Sequence, residues 1–286
     1  MLWGLGAAQM KRKSGNFLHY AAGLAIAFLF LLPIYWIFTA SLRERGLPPP
    51  TTIEWWPQAT TLENYPFIFD LLPMARYIRN SLIVVATAVP ITAFTASIAG
   101  FAMSQEGDLW RRRLLIASIV LLMIPGSSVW LFRFQILRWL GLLDTLWALI
   151  APAVAASSPL YVLLFFWAYR RIPAEIFEAG RLDGANAWTM WWKLARPLVR
   201  TTAVTVIILS FVMYWSDFVS PVLYIFRTEL YTLPIGLQLL KQLNPTDWSL
   251  LMAAAAVMTL PVLILFIFLQ RVFLGETSIA NLFDQN

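Results

Sequence analysis

Side chains able to do covalent, metal or proton chemistry are scarce in this chain. Its 286 residues include no cysteine and a single histidine, His19. Thiolate nucleophiles, disulfides and clustered-histidine metal sites are therefore excluded. No Gly-x4-Gly-Lys-Ser/Thr phosphate loop occurs, so the chain shows no nucleotide site of its own. No Gly-x-Ser-x-Gly elbow or His-Glu-x-x-His pair is present either. The acids Glu44, Glu54, Glu63 and Asp70 are scattered, which weakens a rival reading as a polytopic membrane enzyme such as a lipid glycosyltransferase. Polar chemistry concentrates at residues 170–200. There Pro173 suits a first helical position, and Glu175 lies in the first turn, where a helix dipole favours an anion. Ile172, Ile176, Ala179 and Leu182–Asp183 keep helical spacing. Gly184 is a natural stop, and Asn186 can cap a second helix bearing Trp188, Trp191 and Trp192, with Pro197 turning the chain onward. Two short amphipathic helices hinged at a glycine make a docking knob for a partner. The tryptophans equally suit a segment lying in a membrane interface.

The elements that must carry this loop follow from composition. The chain is 60% hydrophobic and 13% charged, where a soluble chain has about 45–50% and about 25%. Uncharged apolar runs occur at 17–39, 80–103, 114–132, 145–169, 201–216 and 249–270. A bilayer core needs about 20 helical residues, and lipid satisfies no backbone groups. The expectation is an all-α, polytopic membrane protein with six transmembrane helices. The first run is preceded by Lys11, Arg12 and Lys13 but is longer than the roughly 7–15 residues of a cleaved signal; it reads as an uncleaved first span, with His19 at its interfacial end. Six spans put both termini on one side. If that side is cytoplasmic, the inner segments 1–16, 104–113, 170–200 and 271–286 hold 13 Lys+Arg in 73 residues, against 8 in 84 outside. That bias supports cytoplasmic termini. The whole net charge of +6 then lies on the inner face and is not a nucleic-acid footprint. The domain reading is a cytoplasmic segment at 1–16, a membrane domain at 17–270 and a cytoplasmic tail at 271–286. Trp36, Trp110, Trp130, Trp147, Trp167 and Trp215 lie near span ends, as in an interfacial belt.

The spans hold no Asp, Glu, Lys or Arg, which argues against proton or sodium coupling and against an ion pump. Asn80, Ser81, Thr87, Thr92, Thr95, Ser97, Ser127, Ser128, Ser157 and Ser158 remain, and most read as hydrogen bonds between helices. Prolines at 33, 90, 125, 152, 159 and 261 predict kinks or breaks.

At the 170–200 loop the sequence resembles the permease subunits of bacterial ABC importers. Their pattern is Glu-Ala-Ala, three residues, Gly, nine residues, Ile-x-Leu-Pro. It stands here as Glu178-Ala179-Gly180, Gly184 and Leu194-Ala195-Arg196-Pro197, with spacing intact. Gly180, Leu194 and Arg196 depart from the pattern. The resemblance extends through Leu32–Trp36, Arg79–Leu82, Gly141–Thr145, Ile172–Glu175, Trp215–Phe218 with Pro221, Thr232–Pro234 and Gln270–Phe273, and is similar to the carbohydrate-uptake, MalG-like branch. The tail, Ile279–Asn286, departs from that branch.

The resemblance implies a type I importer permease fold and a sugar as cargo, of disaccharide or oligosaccharide size. It implies three partners besides membrane lipid: a second, MalF-like permease, a dimer of ABC ATPases and an extracytoplasmic sugar-binding protein. No cofactor is expected in this chain, and ATP and Mg2+ would be bound by the ATPases. No catalytic residue is expected. Glu175, Glu178, Ala179, Gly180, Asp183, Gly184 and Pro197 would couple the chain to the ATPase. An external loop at Leu239, Leu240, Lys241, Gln242 and Asn244 would contact the binding protein. An importer permease for a non-sugar solute is the alternative.

Overall fold

A computed structural model describes the backbone of residues 4–52 and 54–283, and the side chains of 19–52 and 54–270. The side chains of Lys11, Arg12 and Lys13 and of the 271–286 tail, Arg271–Phe273 among them, lie outside the described residues. Every element among the described residues is helical. Four stretches are long and apolar enough to cross a membrane: His19–Ser41, Met74–Gln105, Trp147–Arg170 and Trp248–Gln270. Two further bent pairs bring the number to six if each is one span.

The chain divides into two compact units. The first comprises Met1–Leu71 and Leu240–Val257. It holds α1 (Gly4–Ser41), α2 (Asn64–Leu71) and the first turns of a long last helix, Trp248–Phe283. From His19 to Leu31 the side chains of α1 are exposed, an apolar surface suited to lipid or to another helix. Asn64, fully buried, ties α2 to the end of α1 by donating to the Ser41 carbonyl at 2.8 Å and the Arg43 carbonyl at 2.7 Å. Ser249 donates to the Glu44 carbonyl at 3.0 Å, closing this unit around the α1 end.

The second unit comprises Leu72–Leu239 and Met258–Asn286. Its axis is α3 (Met74–Gln105), which runs through Pro90 and packs on α7 (Pro159–Arg170) and α10 (Arg200–Trp215). Gly100 sets the α3–α7 approach. A Cβ there would meet Phe165 Cβ at 2.7 Å and the Phe166 nitrogen and Val162 oxygen at 2.8 Å, so only glycine lets the backbones lie this close. Most of the span hydroxyls and amides tie helices or turns together, as expected. Asn80 donates to the Glu229 and Tyr231 carbonyls at 2.8 and 2.9 Å, Ser81 accepts from the Leu233 amide at 2.9 Å, and Thr95 donates to the Ala153 carbonyl at 2.9 Å. Ser127 and Ser128 are exceptions and stand exposed, and Ser158 instead caps the start of α7 by accepting from the Leu160 amide at 3.3 Å.

Two runs are not the single helices the sequence suggests. The run at 114–132 is α4 (Asp108–Met123) followed, after a 97° bend, by α5 (Gly126–Trp139). Pro125 stands in the break, having no amide to continue the ladder. The run at 145–169 begins as α6 (Trp147–Ile150), tightens to a 3-10 turn over Ala151–Ala155 with Pro152 near its start, and resumes as α7 with Pro159 at its first position. Between them Ala156 and Ser157 both adopt positive φ, 59° and 56°.

Candidate functional site

Residues 170–200 fold as two helices joined at a glycine. The first, α8, covers Ala174–Leu182, with Pro173 just before it rather than inside it. Its end is closed by paired bonds: the Gly184 amide donates to Arg181 O at 3.0 Å and the Ala185 amide to Gly180 O at 2.9 Å. This termination needs a left-handed residue at the position of Gly184, whose φ is +76°. The second helix, α9, covers Ala187–Leu198, and Asn186 caps it by accepting from the Thr189 amide at 2.8 Å. Met190–Ala195 is wound as a π-helix, a form that gathers at functional positions. The turn expected at Pro197 lies instead at Val199, where φ is −110° and the chain bends by 83° into α10. Pro197 sits in the first turn of the last helical segment, where its missing amide costs little.

The pair of helices has two chemically opposite faces. Inward, Phe177, Gly180, Met190, Trp191 and Ala195 are buried. Phe177 meets Phe101, which stands edge-on to Tyr169, with ring centroids 6.0 and 5.4 Å apart. The Trp191 indole donates to Ser97 Oγ at 3.1 Å, and Ser97 shares a 2.6 Å hydrogen bond with the Tyr169 hydroxyl. One apolar cluster thus runs unbroken from Phe177 and Trp191 through Phe101, Tyr169 and Phe165 to Val206. A Cβ on Gly180 would approach Leu194 Cδ1 at 2.7 Å. Two departures from the family pattern therefore meet: Gly180 makes room for Leu194 where the pattern has Ala and Ile. The third is also accounted for. The Arg196 guanidinium lies over the Trp192 ring at 3.5 Å, and Trp192 stacks on Trp188 at 6.1 Å with planes 4° apart. The cation is held by the aromatic surface instead of packing inward.

Outward, Glu175, Glu178, Ala179 and Asp183 are exposed, and Leu182 is 89% exposed. Glu178 lines a cleft of about 210 Å³ together with Arg111, Arg170 and Arg181. The exposed series is acidic, small and apolar, and the opposite face is buried and dry.

The structure separates the second set of sequence candidates. Leu239–Leu243 is not a loop but the end of α12 (Leu233–Leu243), the helix that follows α11 (Val219–Tyr224). Leu240 is buried, whereas Lys241 and Gln242 are exposed and Asn244 is half-buried.

One residue escaped sequence reasoning. Asp144, at φ 59°, clamps a segment 83 positions away. Its carboxylate accepts from the Phe226 and Arg227 amides at 2.9 Å and from Arg227 Nε at 2.8 Å, while Arg227 Nη2 donates to the Asp144 carbonyl at 2.7 Å. The Arg227 and Phe226 amides and the guanidinium hold the Asp144 carboxyl below the usual carboxylate range. The only local hint is that Asp tolerates the left-handed region after a Gly-Leu-Leu turn.

The family of binding-protein-dependent transport system inner membrane components matches residues 88–276. Among curated proteins, the chain is 30% identical over 266 residues to the sulfoquinovosyl glycerol transport system permease protein SmoH of Agrobacterium fabrum, covering 93% of each chain. It is 28% identical over 278 residues to the arabinooligosaccharides transport system permease protein AraQ of Halalkalibacterium halodurans, covering 95% of this chain and 99% of that one. A bacterial ABC transporter involved in the import of the acidic polysaccharide alginate superimposes with a TM-score of 0.72 at 18% identity, over 92% of this chain and 98% of that one. The fold is therefore that of an ABC importer permease. With its apolar helices, this family match and relatives named as transport system permeases, the chain belongs to the binding-protein-dependent transport system inner membrane components, as a multi-pass permease of the bacterial inner membrane.

Proposed function

We propose that this chain is one of two permease subunits of an ATP-driven importer. The importer carries a sugar, of disaccharide or oligosaccharide size, into the cell. A second, MalF-like permease completes the membrane conduit, and an external binding protein delivers the sugar. A dimer of ABC ATPases, which holds the ATP and Mg2+, supplies the driving force. Both termini lie in the cytoplasm, with 1–16 and 271–286 as its ends and 17–270 as the membrane domain. The sugar reading is supported by the names of the relatives, which include permeases for arabinooligosaccharides, diacetylchitobiose and lactose. The binding-protein partner is supported by a structural neighbour of TM-score 0.64, an alginate transporter in complex with an alginate pentasaccharide-bound periplasmic protein.

The observation that carries the coupling role is the two-faced α8. Its exposed side presents Glu178, Ala179, Leu182 and Asp183, and its buried side is continuous with the core of the membrane helices. Glu175, Glu178 and Asp183 supply charged contacts to the ATPase, Ala179 allows close approach, Gly180 seats α8 on α9, and Gly184 and Pro197 shape the turns. Lys241 and Gln242 are the exposed candidates for touching the binding protein.

The test is uptake by the reconstituted complex with its cognate binding protein. Gly184→Asp places a side chain at φ +76°, costing about 1 kcal/mol, and adds an anion beside Asp183. Glu178→Lys reverses charge in a cleft lined by three arginines. Each is expected to lower sugar uptake at least about tenfold while the subunit still inserts and assembles with its sister permease. Normal uptake by a fully assembled Gly184→Asp complex would sink the coupling role.

A further inference from the structure

The interruption in the fourth span delivers a hydroxyl to a cavity that the coupling reading does not use. Ala156 and Ser157 occupy the left-handed region in succession. Side chains with a Cβ rarely adopt it, and strain of this kind collects where a site must be shaped. Irregular backbone within a span is tolerated where it is buried in protein or lines a wet cavity. Here it turns Ser157 Oγ into a chain of three hydroxyls, 2.6 Å from Thr92 Oγ1 and 2.7 Å from the Tyr214 hydroxyl. The chain joins α3, the break before α7 and α10.

Tyr214 and Ser157 line a cavity of about 210 Å³, and Arg133, Asp217 and Ser220 line it with them. Arg133 comes from α5, beyond the 97° bend. Asp217 accepts the Ser220 amide through Oδ1 at 3.1 Å. A guanidinium donates only, a carboxylate accepts only, and each hydroxyl does either. The three-hydroxyl chain has three protons for two internal bonds. By rotating in concert it can offer the cavity a donor or an acceptor.

We propose that this cavity is a contact site for a neutral saccharide passing through the permease. Arg133 donates to one sugar oxygen, Asp217 accepts from a neighbouring sugar hydroxyl, and Tyr214 takes either role. One cation and one anion in the same cavity leave no net charge to favour an acidic sugar. A bed that can switch polarity suits a solute whose hydroxyls change partners as it moves. The site rests on the sugar-importer reading and refines it.

The test uses the full complex in proteoliposomes with its binding protein. Uptake of labelled arabinotriose, maltotriose and trigalacturonate is measured first with the unaltered complex. Arg133→Gln and Asp217→Asn are then each expected to raise the half-saturating concentration of a transported neutral trisaccharide about tenfold, the loss of one charge-assisted bond. Stimulation of ATPase activity by the binding protein should stay within about twofold. Because the chain has no cysteine, Ser220→Cys provides a readout that does not depend on turnover. A water-soluble methanethiosulfonate should label it in the vanadate-trapped, outward-open complex, and the transported neutral sugar should slow that labelling.

If no saccharide is taken up by the unaltered complex, the sugar reading falls and this site with it. If a neutral trisaccharide is taken up but both charge variants behave normally, the site alone falls. The same holds if Ser220→Cys is never labelled. Preferred uptake of trigalacturonate, lost in Arg133→Gln and kept in Asp217→Asn, would overturn the neutral assignment.

Discussion

Arg227 and Asp144 show at the residue scale why some contacts are invisible in a sequence. Nothing in the neighbourhood of Asp144 names a partner 83 residues away. Yet the pair fixes the loop before α6 to the segment before α12. The Asp144 carboxyl is lowered by its amide and guanidinium partners, so the sign of its pH dependence is set. Its contribution is fully present above the ordinary carboxyl pKa of about 4 and is lost as the pH falls through the lowered folded value. Hydrogen exchange at the Phe226 and Arg227 amides should therefore stay slow at pH 5 and accelerate below about pH 4, after correction for intrinsic rates. Asp144→Asn should exchange faster at pH 5 and show no such transition. By contrast Gly184 and Asn186 were readable, because a helix stop and a helix cap are local chemistry. Arg196 looked anomalous only until its neighbour four positions back, Trp192, is seen to carry it.

At the scale of elements, the runs of apolar residues announce helices but not their interruptions. Pro125 marks a break, yet the 97° angle depends on what α4 and α5 pack against. The left-handed pair Ala156–Ser157 has no signature in residue type at all. Gly100 could be read as small but not as a contact between two backbones. The prediction for this element is steric. Gly100→Val drives atoms into the Phe165 side chain and the α7 backbone at 2.7–2.8 Å, and overpacking of this kind costs about 1–3 kcal/mol. The complex should unfold at a lower temperature in detergent. Gly107→Ala, with no atom within 4 Å of the added carbon, should not.

The whole molecule has a charge asymmetry that supports its proposed orientation. The lack of cysteine makes that orientation testable one position at a time. Leu182→Cys, at the outer surface of α8, should react with an impermeant maleimide only after spheroplasts are opened. Lys241→Cys should react in intact spheroplasts. The reverse pattern would invert the topology. The apolar runs were legible because bilayer thickness acts on composition alone. The division into two units was not, since it depends on which helices share a core.

The unbroken aromatic cluster beneath α8 has a mechanical consequence. Phe177, Phe101 and Tyr169 bind α8 to the last turns of α3 without a slack layer between them. At 1.5 Å per residue, the 32 residues of α3 make an arm of about 48 Å. A tilt of about 10° imposed at the Gln105 end sweeps the Met74 end through roughly 8 Å. Asn80 and Ser81, near that far end, grip the strap around Tyr231 and the start of α12 by three hydrogen bonds. A small rotation imposed at α8 would therefore reach the opposite end of α3 as a displacement several ångströms wide.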